Sequence, residues 1–250
     1  MTSDTAKMLW WAIGWGGYID AKMLSSMRGS SMRGARDALS AAVERGWLRC
    51  WYVHERCAIY QVTDAGRAMC ISMGMPVTNT RDGLRHKIVD GKFVPSRLWE
   101  HARQAAIFTA GFVGAFLSVE VIGPDMVVPM FLIGQQAGQK TPDCMLTDSK
   151  YAIAIEFERS QKRGRQARHR NWMTLAKFIG DVAADEVKFR GVPVKQIVVA
   201  YAAEIAVEIR ETLDRYCGEV ANWRHKSLWW TWFDGAVIQD TGAIFEDPDE

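Results

Sequence analysis

Residues 142–162 read PDCMLTDSKYAIAIEFERSQK, a stretch that combines a strand-like alternation with four acidic residues. Side chains of an extended strand alternate between two faces, and residues 151–158 follow this alternation. One set is apolar, and the other consists of Ala152, Ala154, Glu156 and Glu158. We therefore expect Glu156 and Glu158 to point to the same face of a strand.

The residues before this strand predict a β-hairpin. If residues 147–150 form the turn, Asp143 lies opposite Ala154 and diagonal to Glu156, at about 7–8 Å between backbones. Asp143 then shares the face of the two glutamates. A slip by one residue would turn Asp143 to the apolar face, so the prediction depends on the turn.

Three carboxylates on one face predict a metal site, because like charges this close repel each other unless a cation offsets them. A ligand set made only of oxygen favours Mg2+ or Mn2+ over zinc. The small side chains of Ala152 and Ala154 leave room for a substrate. The alternative is an ordinary half-exposed strand whose glutamates face water.

A basic segment follows the hairpin directly. Residues 159–170 read RSQKRGRQARHR and contain six Lys or Arg but no acid, although the whole chain has a net charge of only +2. Beside a carboxylate cluster, this segment predicts a phosphate-binding rim that includes Arg163, Arg165 and Arg168. The alternative is a solvated helix face.

Composition excludes several classes of protein. The chain has 250 residues, 48% of them hydrophobic, which suffices for a small domain followed by a medium one. Its five cysteines are odd in number and form no C-x-x-C pair, so neither a disulfide framework nor a zinc knuckle is indicated. Apolar runs fall short of the roughly 20 residues of a membrane span. We expect a soluble, cytoplasmic protein without membrane insertion.

Residues 5–72 show the element order of a winged helix. Three helices, the third at 31–45, precede two alternating strands and a short helix. The sequence GWLRCWYVHERCAIYQVTDAGR, residues 46–67, resembles the wing region of winged-helix DNA-binding domains. This resemblance implies that the third helix enters a major groove of DNA.

The third helix carries the candidate DNA contacts. Its apolar positions would face the core, which leaves Arg33, Arg36 and Ser40 to reach bases or phosphates. Arg56, at the tip of the wing, would contact the DNA backbone. The alternative is a winged helix that is used only for protein contacts.

The remaining pattern divides the chain into a winged helix at 1–75, a basic linker at 76–96 and a second domain at 97–250. In the second domain we expect a helix at 97–117, strands at 118–122 and 126–133, and the hairpin. A helix at 162–184, a strand at 194–201, a helix at 203–217 and a strand at 228–233 complete it. The fold class is thus α+β or α/β, with a mixed central sheet flanked by helices.

Pro142-Asp143 on one strand and Glu156-x-Glu158 on the next resemble the restriction-endonuclease-like PD-(D/E)XK fold. Glu158 stands where that pattern most often has lysine, so the resemblance implies a displaced lysine, for which Lys162 is the candidate. With an N-terminal winged helix, this arrangement is similar to MOBC-type plasmid mobilisation relaxases and their replication-relaxation relatives.

That resemblance implies an enzyme that recognises a plasmid origin of transfer and nicks one DNA strand, together with relaxosome accessory and coupling proteins. Asp143 and Glu156 would bind the metal, Glu158 would bind the metal or orient water, and Lys162 would stabilise developing charge. Two alternatives stay open. One is another metal-dependent endonuclease, of restriction, repair or mobile-element type, and the other is a non-enzymatic DNA-binding regulator with an inactive nuclease-like domain.

Overall fold

The computed structural model describes residues 3–54, 57–75, 77, 86–89, 92–95, 97–113, 120–123, 141–148, 150–158, 165–184, 186–202, 206–217, 227–233 and 236–240. The chain divides into two compact units, Met1–Pro129 and Met130–Glu250. Helices and strands occur in both units, so the fold is mixed α and β. Across the described residues, no helix combines the length and the apolar character needed to cross a bilayer.

The first unit begins with a three-stranded sheet and four helices. In chain order these are α1 (Ser3–Gly14), β1 (Tyr18–Asp20), α2 (Ala21–Arg28), α3 (Met32–Glu44), β2 (Leu48–His54), β3 (Cys57–Val62) and α4 (Asp64–Ser72). The sheet is antiparallel in the order β1-β3-β2. β1 was not predicted from the sequence; the other elements were.

Local chemistry sets the bounds of α3. Ser31 is its N-cap, and the Ser31 hydroxyl accepts a hydrogen bond from the Gly34 N–H at 3.1 Å, as expected for a helix start. Ala35, Leu39 and Ala42 form its buried stripe. Gly46 follows the helix with φ of 73°, a left-handed conformation that glycine adopts without strain.

The segment predicted as a basic linker, 76–96, contains two paired strands. β4 (His86–Val89) pairs antiparallel with β5 (Lys92–Pro95). Phe93 is 2% exposed, and its ring centroid lies 5.6 Å from that of Tyr18 and 6.1 Å from that of Trp51. Burial of this aromatic ring holds the segment against the first sheet.

Helix α5 (Arg97–Val113) also belongs to the first unit, followed by strand β6 (Glu120–Ile122). α5 packs against α2, and Arg103 forms an ion pair with the buried carboxylate of Asp20. The compact units therefore divide at residue 129 rather than at the domain boundary expected at residue 97. The strand predicted at 126–133 lies outside the described residues.

The second unit is built on a mixed sheet. Its elements are β7 (Cys144–Thr147), β8 (Ala152–Glu158), α6 (Arg165–Ala183), β9 (Lys188–Phe189), β10 (Val192–Ala202), α7 (Ala206–Cys217), β11 (Ser227–Phe233) and β12 (Ala236–Asp240). Five strands follow the order β12-β11-β10-β8-β7, and β9 pairs with β10. β8, β10 and β11 are parallel, whereas β7 and β12 run antiparallel to their neighbours.

Strand β8 is buried along its whole length and on both faces. Glu156 is 4% exposed and Glu158 5% exposed. The alternative of a half-exposed strand with glutamates facing water is therefore wrong. β8 lies between β7 and β10 inside the sheet, so it is not an edge strand, and both of its faces are buried.

Candidate functional site

The hairpin register brings Asp143 opposite Glu156. β7 pairs with β8 so that Cys144 faces Ile155 and Thr147 faces Ala152. The turn therefore lies at 148–151, and the register predicted from a turn at 147–150 was wrong by two residues. Because side chains alternate with a period of two, the shift kept Asp143 on the face of the two glutamates.

Asp148 explains the position of the turn. Its Oδ1 accepts hydrogen bonds from the backbone N–H of Lys150 at 2.6 Å and of Tyr151 at 2.9 Å. These two bonds hold the pKa of the Asp148 carboxyl below its usual range, with the bond from Tyr151 the larger cause. An aspartate that accepts from the following backbone in this way is a turn residue, as its type predicts.

Asp143 also forms a hydrogen bond with strand β8, which it faces. Its Oδ2 accepts a hydrogen bond from the backbone N–H of Phe157 at 2.9 Å. The side chain is half-buried, at the point where β7 begins and β8 approaches its end. This bond places the Asp143 carboxylate beside the end of β8 that carries Glu156.

Glu158 is held from a helix. Its Oε1 accepts a hydrogen bond from the side-chain amide of Asn171 on α6. Sequence analysis missed Asn171, although a signal exists. Asn171 lies one turn before Leu175, at the start of the buried stripe of α6, and a polar side chain on such a stripe requires a polar partner.

These residues share one edge of the sheet, which we call the carboxylate edge and define by Asp143, Glu156 and Glu158. The two glutamates lie at the carboxyl end of β8, next to the corresponding ends of β10 and β11. β7 is antiparallel, so its amino end, preceded by Asp143, lies at the same edge. Ligands of open α/β sheets bind outside the carboxyl ends of the strands.

The donor set of this edge suits a hard cation. Among the residues that the structure describes, no group of three or more His, Cys, Asp or Glu side chains is arranged to hold a metal ion. Asp143 and Glu156, on facing positions, are the pair that fits. Mg2+ is commonly held by one or two carboxylates, with waters and substrate phosphates completing its octahedron.

The predicted basic rim is described only in part. Lys162 and Arg163 lie outside the described residues. Arg165 and Arg168 belong to the first turns of α6, and their side chains lie outside the described set as well. The roles of these four residues stay predictions.

The first unit presents the candidate DNA contacts of α3. Arg33, Arg36 and Ser40 are exposed, as predicted. On β3, burial raises the pKa of the Tyr60 phenol, and the charge of Arg36 opposes this shift. Arg56 lies outside the described residues.

Comparisons with protein-family models, with curated proteins and with solved structures found no match to this chain.

Proposed function

We propose that this protein is a divalent-metal-dependent DNA endonuclease. The first unit would bind DNA as a winged helix, and the carboxylate edge of the second unit would cleave it. The observation that carries the proposal is the facing pair of Asp143 and Glu156 at the carboxyl end of a buried strand. Two buried or half-buried carboxylates in this position favour a cation between them.

The order of elements supports both fold assignments. In the second unit, the antiparallel hairpin β7-β8 is followed by helix α6 and by the parallel strand β10, the order implied by the PD-(D/E)XK resemblance. Pro142-Asp143 precedes β7, and Glu156-x-Glu158 ends β8. In the first unit, the antiparallel order β1-β3-β2 with α3 before the β2-β3 hairpin agrees with a winged helix.

A bound Mg2+ or Mn2+ would polarise the scissile phosphate and lower the pKa of the attacking water. Asp143 and Glu156 would hold the ion through oxygen atoms alone. Glu158 would orient the water, and the ammonium group of Lys162 would stabilise charge that develops on the phosphate. Arg33 and Arg36 would bind DNA away from the scissile bond.

The narrower proposal is a relaxase that nicks one strand at a plasmid origin of transfer, with relaxosome accessory and coupling proteins as partners. It follows from the resemblance of the P-D and E-x-E motifs behind a winged helix. An endonuclease of restriction, repair or mobile-element type would use the same carboxylates on other DNA. The intact acid pair favours an enzyme over a regulator with an inactive site.

Incubation of supercoiled plasmid with the protein tests the proposal. With Mg2+ or Mn2+, we expect conversion to open circles, confined to one strand when a suitable transfer origin is present. Glu156→Gln keeps the size of the side chain but removes its charge, so nicking should fall by at least about 100-fold. Glu211→Gln, an exposed glutamate on α7, is the matched control and should nick like wild type. Metal-independent nicking, or a fully active Glu156→Gln, would refute the assignment.

A further inference from the structure

Asn171 on helix α6 contacts the carboxylate edge. Its side-chain amide donates to Oε1 of Glu158, whose residue is 5% exposed. A buried carboxylate is expensive unless donors compensate it, and hydrogen bonds to a charged acceptor are stronger than neutral ones. The bond also selects one orientation of a side chain that has three rotatable bonds.

Glu158 lies further along the strand than Glu156, which with Asp143 forms the proposed pair of metal ligands. Glu158 lies two residues beyond Glu156 on the same face of β8, which is about 6.6 Å further along the strand. Within the described part of the chain, no three carboxylates converge as one metal site. If Asp143 and Glu156 held an ion, a carboxylate near the end of the same strand would be placed to accept a proton from a water beside them.

We infer that Asn171 is a positioning residue, which orients Glu158 so that this carboxylate holds the attacking water. This inference rests on the proposed function. A carboxylate has two oxygens with about four lone-pair directions, so a bond from Asn171 is compatible with a second bond from water. Groups that orient metal ligands typically matter by 10- to 100-fold, and we expect an effect of similar size for a group that orients the water-binding carboxylate. The competing role is purely structural, in which Asn171 only fastens α6 to β8.

A double-mutant cycle on the nicking rate separates these roles. Single-turnover rates are measured on supercoiled plasmid at saturating Mg2+ for wild type, Asn171→Ala, Glu158→Ala and the double variant. We expect Asn171→Ala to lose about 10- to 100-fold. In the Glu158→Ala background, the same substitution should change the rate by less than about twofold, because a residue that acts through Glu158 has nothing left to position.

A matched control lies on the same helix. Thr174 is exposed, and its hydroxyl donates to the Arg170 carbonyl of its own helix at 3.0 Å. Thr174→Ala should nick like wild type. The Mg2+ concentration for half-maximal nicking should stay within about twofold of wild type in Asn171→Ala, because the proposal places Asn171 on the water and not on the ion.

A second measurement uses the metal-free protein and no activity. Asn171→Asp removes the donor and sets a second carboxylate against Glu158, so the urea midpoint of unfolding should fall. Adding Glu158→Gln restores an amide and a carboxylate with their positions exchanged, and the midpoint should recover. The exchanged pair should still fail to nick, because the carboxylate then stands on α6 and no longer on β8.

The outcomes separate the two proposals. Suppose that wild type nicks. If Asn171→Ala is then as fast as wild type, or if it lowers the rate equally in the wild-type and Glu158→Ala backgrounds, the positioning role is overturned and the endonuclease proposal still holds. A raised Mg2+ requirement in Asn171→Ala overturns the assignment to water, and so does an exchanged pair that nicks at the wild-type rate. Wild type that never nicks overturns the endonuclease and the positioning role together.

Discussion

Asp143 accepts a backbone hydrogen bond in this structure and is also a proposed metal ligand, and two substitutions separate these roles. Its carboxylate is a proposed metal ligand, and its Oδ2 accepts the backbone N–H of Phe157 at 2.9 Å. Asp143→Ala removes both. Asp143→Asn keeps an oxygen that can accept the N–H but removes the negative charge that a cation requires.

The structure sets the expected magnitudes. Phe157 is 1% exposed, so loss of its acceptor leaves a buried N–H without compensation, which costs about 1–3 kcal/mol. Asp143→Ala should therefore lower the free energy of unfolding by about this amount. Asp143→Asn should lose less than about 1 kcal/mol, because a neutral acceptor replaces a charged one. Both variants should lose nicking by at least about 100-fold.

Urea unfolding followed by circular dichroism gives the stabilities, and single-turnover nicking of supercoiled plasmid with Mg2+ gives the rates. Titration calorimetry with Mn2+ adds a direct measure of metal binding. If Asp143→Asn binds metal and nicks at the wild-type rate, Asp143 is only an acceptor for the backbone, and its assignment with Glu156 as a metal ligand is wrong. If Asp143→Ala is as stable as wild type, the bond to Phe157 contributes nothing measurable.

Three further predictions concern other parts of the chain. Replacing Arg33 and Arg36 together by Ala should weaken DNA binding in fluorescence anisotropy, by about 1–3 kcal/mol for each base-edge contact, whereas the exposed Lys188→Ala should change nothing. Phe93→Ala should destabilise the first unit by about 3–5 kcal/mol, since it empties a buried aromatic site; a loss below 1 kcal/mol would mean that the β4-β5 hairpin is not held by this ring. Neutralising Arg163, Arg165 and Arg168 of the basic segment should reduce the slope of log affinity for DNA against log salt concentration by up to about 2–3 units. An unchanged slope would mean that the segment is a solvated helix face.

The sequence determined those features that depend on local periodicity and capping. The alternation of residues 151–158 predicted a strand with both glutamates on one face, and β8 has this arrangement. Helical spacing with Ser31 ahead of it and Gly46 behind it predicted α3. Such features are set by the residues themselves and their nearest neighbours, so the sequence is sufficient.

Tertiary structure decided the features that depend on residues far apart in the chain. β8, which carries the buried Glu156 and Glu158, is an internal strand because β10, about 40 residues later, pairs with it. Phe93, in the segment predicted as a linker, is buried because it meets Tyr18 and Trp51. The bond from Asn171 to Glu158 exists because α6 returns across the sheet. The periodicity of the sequence does not predict such contacts, because their free energy comes from partners that only the folded chain brings together.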